Sequence, residues 1–358
     1  MHYNNEFKPY RVVVLGGNGT IGSLVCEKIL LCKDIVLSIG FRRTSDCLKY
    51  FTNNKDINKF TYDFTNINLI NEIVMNNDVV VNCTGIADNN LIEQCNLKNT
   101  HYIDPSSSKG IKKIINNNSI NSNSNLLIHS SGCNPGLTEM VLKYIYEKYN
   151  PDKVSIYFFG NGSMSHSSIR ELLESSKKNN SYSLSYINYK KIDNLSKFEI
   201  NKELPEPIGK VLCVPTISNS IFDVVKNMNI KQCFFYNTFK DEKMLITLLN
   251  ALGNESENGC ELSKIEEIKK VYEKRFKSEK EKYTIYYCEI KIKKKSKSII
   301  FNYSCDWNEL TAITIVNVIN LIKKGKYKKN CEGVIWDLFN PSEFLFKASN
   351  KLNYDIEV

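Results

Sequence analysis

No apolar run in this 358-residue chain approaches the length that spans a bilayer, so no membrane association is expected. Ahead of the first glycines, MHYNNEFKPYRVVVLGG offers an apolar stretch of only four residues. That reads as a buried first strand rather than the apolar region of a signal peptide. The twelve cysteines contain no CxxC pair, and no cluster of cysteine and histidine has the spacing of metal ligands. No metal is expected, and neither is a disulfide framework. Several thiols fall in expected strands or helices (Cys26, Cys83, Cys95, Cys288), which suits a reduced, cytoplasmic protein.

Acidic charge is also in short supply. The formal charge is +9, from 48 basic and 39 acidic residues. The excess is partly local, in KKVYEKRFKSEKEKY (269–283), which has the pattern of a solvated helix face, and in KIKKKSK (291–297). The second lies between alternating segments and reads as the exposed tip of a hairpin. Neither has interleaved aromatics, so a nucleic-acid partner is not expected. A basic field that attracts a small anionic ligand is.

What the chain does have is enough length for two domains, with 42% hydrophobic and 24% charged residues. The first 135 residues alternate strand and helix signals: RVVVLGG, SLVCEKILL, DIVLSIGF, INLINEIVM, DVVVNCTG, LIEQCNLKN, THYIDPS and NLLIHSSG. This pace predicts an α/β fold with a doubly wound parallel sheet, a Rossmann domain. An Asn- and Ser-rich stretch (116–125) reads as a surface insertion, too polar to order itself. After residue 150 strand-like segments dominate: KVSIYFFG, SYSLSYINYK, KFEI, KVLCVP, QCFFYNTF and YTIYYCEIKI. They predict an α+β domain with a mixed or antiparallel sheet. NELTAITIVNVINLIKKGKY (308–327) is an amphipathic helix. The expected organisation is a Rossmann domain over 1–135, completed by 306–358, with 136–305 as an α+β substrate and dimerisation domain.

The sharpest motif is Gly17-Asn18-Gly19-Thr20-Ile21-Gly22, between strand RVVVL and helix SLVCEKILL. In this reading Gly17 permits the tight turn and Gly19 clears space for a pyrophosphate. Gly22 lets the helix pack on the strand, and the helix N-terminus offers free N–H groups to phosphates. An NAD site usually ends the second strand with an acid that binds the ribose hydroxyls. Here the strand ends in Arg42 and Arg43, a pair that suits a 2′-phosphate. NADP(H) is therefore the expected cofactor, with NAD(H) the alternative. Asp63 could lie against the adenine after the third strand.

DVVVNCTGIADNN (78–90), HYIDPSS (101–107) and GCNPGLTEMVLKYI (132–145) resemble the saccharopine dehydrogenase-like family. The likeness continues more faintly in GNGSMSHSSIRELLES (160–175), which departs from the family's Gly-rich form by carrying Met164 and His166, and in TAITIVNVINLIKKGKYKKNCEGV. It implies hydride transfer between NADPH and an imine or secondary amine formed from an amino acid or polyamine and a carbonyl compound. It also implies cofactor contacts from Cys83, Thr84 and Gly85, and substrate contacts from Ser106, Asn134, Pro135, Gly136 and Ser165. A homodimer through the α+β domain is expected.

Two residues stand out for proton transfer. Asp104 ends a strand where α/β sheets bind ligands, but Asp-Pro-Ser equally suits a turn. His166 is of the right type, in a polar loop, or is simply exposed. Two other readings compete. Gly16, Gly19 and Gly22 also fit an extended short-chain dehydrogenase, with Ser131, Tyr144 and Lys148 as its catalytic set. A non-catalytic dinucleotide-binding protein would look the same in its first half.

Overall fold

The computed structural model describes residues 9–54, 57–106, 109–119, 125–166, 168–170, 173, 185–188, 190–192, 201–228, 230–253, 261–278, 281–328 and 333–348. The chain divides into two compact units: residues up to Met140 with Thr311–Ala348, and Val141–Leu310.

In the first unit strands and helices alternate as β1 (Tyr10–Leu15), α1 (Thr20–Ile29), β2 (Ile35–Phe41), α2 (Thr44–Lys49), β3 (Asn58–Thr61), α3 (Ile67–Met75), β4 (Val79–Asn82), α4 (Asn89–Leu97), β5 (His101–Ile103), α5 (Lys109–Ser119) and β6 (Leu127–Ile128). Six strands form one parallel sheet in the order β3-β2-β1-β4-β5-β6. Central strands of such a sheet are covered on both faces, so they read as continuous apolar runs. Val12 to Leu15 and Val79 to Val81 are fully buried, each contributing about 1.5–3 kcal/mol by leaving water. On one side Val13, Leu15 and Val80 pack with Ile70, Val74, Leu91, Ile92 and Tyr102. The sheet reverses direction of winding between β1 and β4, which places the ligand crevice at their carboxyl ends.

The Asn/Ser stretch is not simply an insertion. Ile111 and Ile115, four residues apart, are fully buried, and they anchor a helix that continues to Ser119. Residues 120–124 lie outside the described ones. Asn125 is buried, with its side-chain amide donating to the carbonyls of Cys95 (3.2 Å) and Thr100 (2.9 Å). Sequence composition hid this because the ordering partners are remote in sequence. Cys83 lies just past β4 rather than inside it.

Helix α6 (Leu137–Tyr149) follows, and the division between units falls within it. The second unit holds β7 (Lys153–Gly160), β8 (Ser185–Ile187), β9 (Lys190–Ile192), β10 (Asn201–Leu204), β11 (Gly209–Pro215), α7 (Asn219–Asn227), β12 (Gln232–Phe239), α8 (Glu242–Gly253), α9 (Glu261–Ser278), β13 (Thr284–Ile292) and β14 (Lys295–Tyr303). They form a mixed sheet in the order β10-β11-β12-β7-β13-β14, with β8 and β9 attached to β12. Among the described residues only β7 and β12 run parallel; the other pairs are antiparallel. The expected lysine-rich hairpin tip is present: Lys293, Lys294 and Lys295 are exposed between β13 and β14. The expected strand KFEI lies outside the described residues.

Helix α10 (Trp307–Lys323) contains the second division between units. Its later turns belong to the first unit, where Ala312, Thr314, Ile315, Val318 and Ile319 are buried. Two short helices, α11 (Ile335–Leu338) and α12 (Pro341–Ala348), close the described chain. Just before them Val334 bridges His129 in parallel, extending the six-stranded sheet past β6.

Candidate cofactor site

The glycine turn follows β1 directly. The amides of Gly16 (3.0 Å) and Gly17 (3.3 Å) both donate to the carbonyl of Gly40, which staples the turn to the end of β2. The left-handed backbone sits at Gly16 (φ +82), not at Gly17 as the sequence pattern suggests. Gly17 is required for another reason: a Cβ there would lie 2.2 Å from Cγ2 of Ile39. Gly19 is open by comparison, its nearest neighbour being the Gly16 carbonyl at 3.2 Å from an added Cβ. Gly22 faces that same carbonyl at 2.1 Å, so helix and turn approach as closely as backbone permits.

The helix ends support the reading. Asn66 caps α3 and Asp88 caps α4 with their side chains. Helix α1 has Gly19 at its cap and no side-chain cap bond, while Asn18, Thr20 and Ile21 are half-buried around it. Its first turn thus presents backbone amides and a positive dipole end to the space a dinucleotide pyrophosphate would occupy.

Arg42 and Arg43 are both exposed just beyond β2, and Arg43 leads into α2. The aromatic residue of this corner is Tyr62, which the sequence pattern does not mark out beside Asp63. Its ring would meet a Cβ on Gly40 at 3.0 Å, and it packs against Phe64 with centroids 5.0 Å apart. Burial raises its phenol above the ordinary value, while the charge of Arg42 pulls it down. Asp63 instead accepts the amide and hydroxyl of Thr65, at 2.9 and 2.8 Å, which shapes the turn into α3 and lowers its carboxyl. Asp46 is a second residue that the pattern does not mark. Its carboxylate accepts the side-chain amide of Asn18 at 2.9 Å, tying α2 to the glycine turn. No local signal could have found this pair, because Asn18 and Asp46 are 28 residues apart.

The loop after β4 backs onto the same turn. The carbonyl of Cys83 would lie 3.0 Å from a Cβ on Gly16 and 3.9 Å from one on Gly19. Burial drives the Cys83 thiol well above its ordinary value, which disfavours the thiolate. Thr84 is half-buried, and Gly85 has φ +72.

Asp104 follows β5 and is almost fully buried. One carboxylate oxygen accepts the Tyr102 hydroxyl (2.9 Å) and the Asn82 amide (3.0 Å), and the other accepts the Ser106 backbone N–H (2.8 Å). Ser131, also buried, donates its hydroxyl to the Asp104 carbonyl at 2.9 Å. The Asn134-Pro135-Gly136 turn opens α6. Gly136 has φ +128, and its amide donates to the buried carboxylate of Glu139 at 2.7 Å, the glutamate half of a capping box. Asn134 is exposed and Pro135 half-buried. The Cys133 amide donates to the Thr311 hydroxyl at 3.1 Å, which brings α10 to this turn.

Residues 12–147, which include all of these turns, match the family described as saccharopine dehydrogenase NADP binding domain. This segment is similar to a saccharopine dehydrogenase-type NADP-binding domain. No curated protein matches the chain by sequence. Among solved structures, saccharopine dehydrogenase (L-Glu forming) from Saccharomyces cerevisiae aligns over 95% of this chain and 96% of its own, with TM-score 0.65 and 10% identity. The whole chain therefore shares the fold of that protein. Fainter likenesses are an engineered D-amino acid dehydrogenase bound to NADP+ (TM-score 0.48, 12% identity, 96% and 97% coverage) and the DAP dehydrogenase of C. glutamicum with DAP (0.47, 11%, 96% and 96%).

Other residues singled out from the sequence lie in the second unit. Ser165 accepts the Ser168 amide at 3.1 Å and pairs with its hydroxyl at 2.8 Å. His166 is exposed and lies 2.6 Å from Glu266, whose carboxyl it lowers. Met164 and Trp307 pack against the same apolar cluster, and the Trp307 indole N–H donates to the Ser163 carbonyl at 3.1 Å. Tyr144 accepts a bond from Lys148 at 3.0 Å and packs edge-on against Phe301. That bond raises the Lys148 ammonium above its ordinary value. Among the described residues no helix is long and apolar enough to cross a membrane, and all ten described cysteines are free. Cys260 and Cys331 lie outside the described residues.

Proposed function

We propose that the protein is an NADP(H)-dependent oxidoreductase acting on an imine or secondary amine built from an amino acid or polyamine and a carbonyl compound. The observation that carries this is the family match over the glycine turn, the β4 loop and the Pro-Gly turn, together with the two arginines that follow β2. NADPH, when bound, supplies a hydride to the imine carbon.

The chain's own residues do the rest. Gly17, Asn18, Gly19, Thr20, Ile21 and Gly22 receive the pyrophosphate, and Arg42 and Arg43 the 2′-phosphate. Tyr62 and Asp63 flank the adenine corner, and Cys83, Thr84 and Gly85 shape its inner wall. Ser106, Asn134, Pro135, Gly136 and Ser165 are assigned to the substrate's polar groups, and His166 to the proton that the amine nitrogen takes. His166 suits the last role by residue type, and Glu266 orients its ring. The nine-residue β14 ends the sheet of the second unit and is the surface through which we place a homodimer.

The test is NADPH consumption with amino acids or polyamines paired with 2-oxo acids or aldehydes. Turnover that needs both partners supports the proposal. NADPH binding without turnover on any pair would replace it with a non-catalytic dinucleotide-binding role. Sedimentation of the pure protein as a monomer would remove the dimer.

A further inference from the structure

Asn82 is the last residue of β4 and is fully buried, so its side chain touches neither solvent nor any ligand in the crevice. Yet all of its hydrogen-bonding capacity is in use. Its Nδ2 lies 2.8 Å from the Tyr102 hydroxyl, 3.0 Å from Oδ2 of Asp104 and 2.9 Å from the Ile86 carbonyl. Its Oδ1 accepts the Thr84 hydroxyl at 2.7 Å and the Thr84 amide at 3.2 Å. Thr84 passes the bond on, its Oγ1 accepting the Ile86 amide at 3.1 Å. One side chain thus holds the loop Cys83–Ile86 from inside.

Which way that amide points is decided by Asp104. Its two carboxyl oxygens both accept, one from Ser106 and the other from Tyr102 and Asn82, so Asn82 must turn its Nδ2 toward it. Turned over, Asn82 would set its oxygen against a carboxylate oxygen and its NH2 against the Thr84 N–H. Tyr102 has one hydrogen, which goes to Asp104, leaving its lone pairs to accept from Asn82. Burial and the neighbouring carboxylate both raise the Tyr102 phenol far above its ordinary value, so it remains a donor.

We propose that Asp104 is a positioning residue, which with Tyr102 fixes the Asn82 amide so that the loop Cys83–Ile86 keeps the shape that receives the dinucleotide. The proposal rests on the cofactor site described above, because the loop matters through its contact with the glycine turn. It assigns Asp104 to holding rather than to carrying a proton. Asp104→Asn does not conserve this role. Whichever way the new amide turns, its NH2 faces either the Ser106 N–H or the two donors from Tyr102 and Asn82.

The experiment measures NADPH affinity by calorimetry, and the pH profile of kcat at saturating NADPH, for the full chain and for Tyr102→Phe, Asn82→Ala and Asp104→Asn. Tyr102→Phe removes one hydroxyl from a ring that still packs, so it keeps the fold. Its NADPH Kd should rise severalfold, and that of the other two roughly tenfold or more, the scale of removing one buried hydrogen bond. Backbone exchange at Thr84 and Ile86 should quicken in Tyr102→Phe while the strands stay protected, which a general loss of stability would not produce. In Asp104→Asn the kcat profile should keep both limbs. Wild-type NADPH affinity in both Tyr102→Phe and Asn82→Ala would overturn the proposal. So would an Asp104→Asn protein that binds NADPH normally and loses one limb of the kcat profile, because Asp104 would then be the proton carrier. A wild-type chain that binds neither dinucleotide overturns the cofactor site itself, and this proposal with it.

Discussion

The carbonyl of Gly16 occupies the place where a side chain on Gly22 would go. That oxygen accepts the Gly19 amide at 2.9 Å, and a Cβ on Gly22 would lie 2.1 Å from it. Gly22→Ala must therefore push helix α1 off the turn, at a cost of about 1–3 kcal/mol. Gly19→Val sets its Cβ 3.2 Å from the Gly16 carbonyl, a contact that a shift of a few tenths of an ångström relieves, and its backbone (φ −76) is ordinary. Thermal unfolding should place Gly22→Ala below wild type and Gly19→Val close to it. Calorimetry should show NADPH binding abolished in both. Unchanged affinity in Gly19→Val would remove the pyrophosphate from this turn.

Arg42 and Arg43 are expected to read the 2′-phosphate. Replacing both with alanine should weaken NADPH by about 1.5–3 kcal/mol for each charge-assisted hydrogen bond removed, and leave NADH nearly untouched. Parallel titrations with the two dinucleotides check this. An equal fall for both would show that the arginines do not clamp the phosphate.

Tyr144 separates the two oxidoreductase chemistries. Its ring packs on Phe301 at 5.7 Å, and its hydroxyl takes the Lys148 ammonium at 3.0 Å. Ser131, the third member of the competing set, spends its hydroxyl on the Asp104 carbonyl. Tyr144→Phe should keep turnover, measured as kcat with the active imine-forming pair. In a short-chain dehydrogenase it would remove the catalytic acid, worth about 10²–10⁴-fold in rate.

Two histidines, His129 buried and His101 half-buried, set a pH dependence of stability. Burial brings both His101 and His129 down to about 4. In the unfolded chain they take up protons near the ordinary value of about 6.5. As pH falls from 6.5 toward 4 the unfolded state binds protons first, so stability is lost over that window. The limit is about 3 kcal/mol for each histidine. The His101 Nδ1 accepts the Leu126 amide at 3.0 Å, a bond that an asparagine oxygen can replace. Denaturant unfolding of His101→Asn between pH 7 and 4.5 should therefore show a shallower slope than wild type. An unchanged slope would mean that His101 charges freely in the folded protein.

The first unit was legible because its information is local. A run such as Val12 to Leu15, glycines in the strand–turn–helix order and two arginines after β2 each specify their structure within a few residues. The same holds for the hairpin at Lys293, where alternation on both sides of a basic turn fixes register. What the sequence by itself determined is thus the order of elements, the parallel sheet and the place of the glycine turn between β1 and α1. Tertiary structure decided which glycine carries the turn, because only the approach of Ile39 to Gly17 and of the Gly16 carbonyl to Gly22 distinguishes their roles. It also decided that Asn125 is a buried strut, that Tyr62 and Asp46 stand at the cofactor corner, and that Asp104 is surrounded by donors. Asp104 meets Asn82 across 22 residues and Cys133 meets Thr311 across 178. Such pairs are chosen by the winding of the sheet, which no periodicity along the chain records.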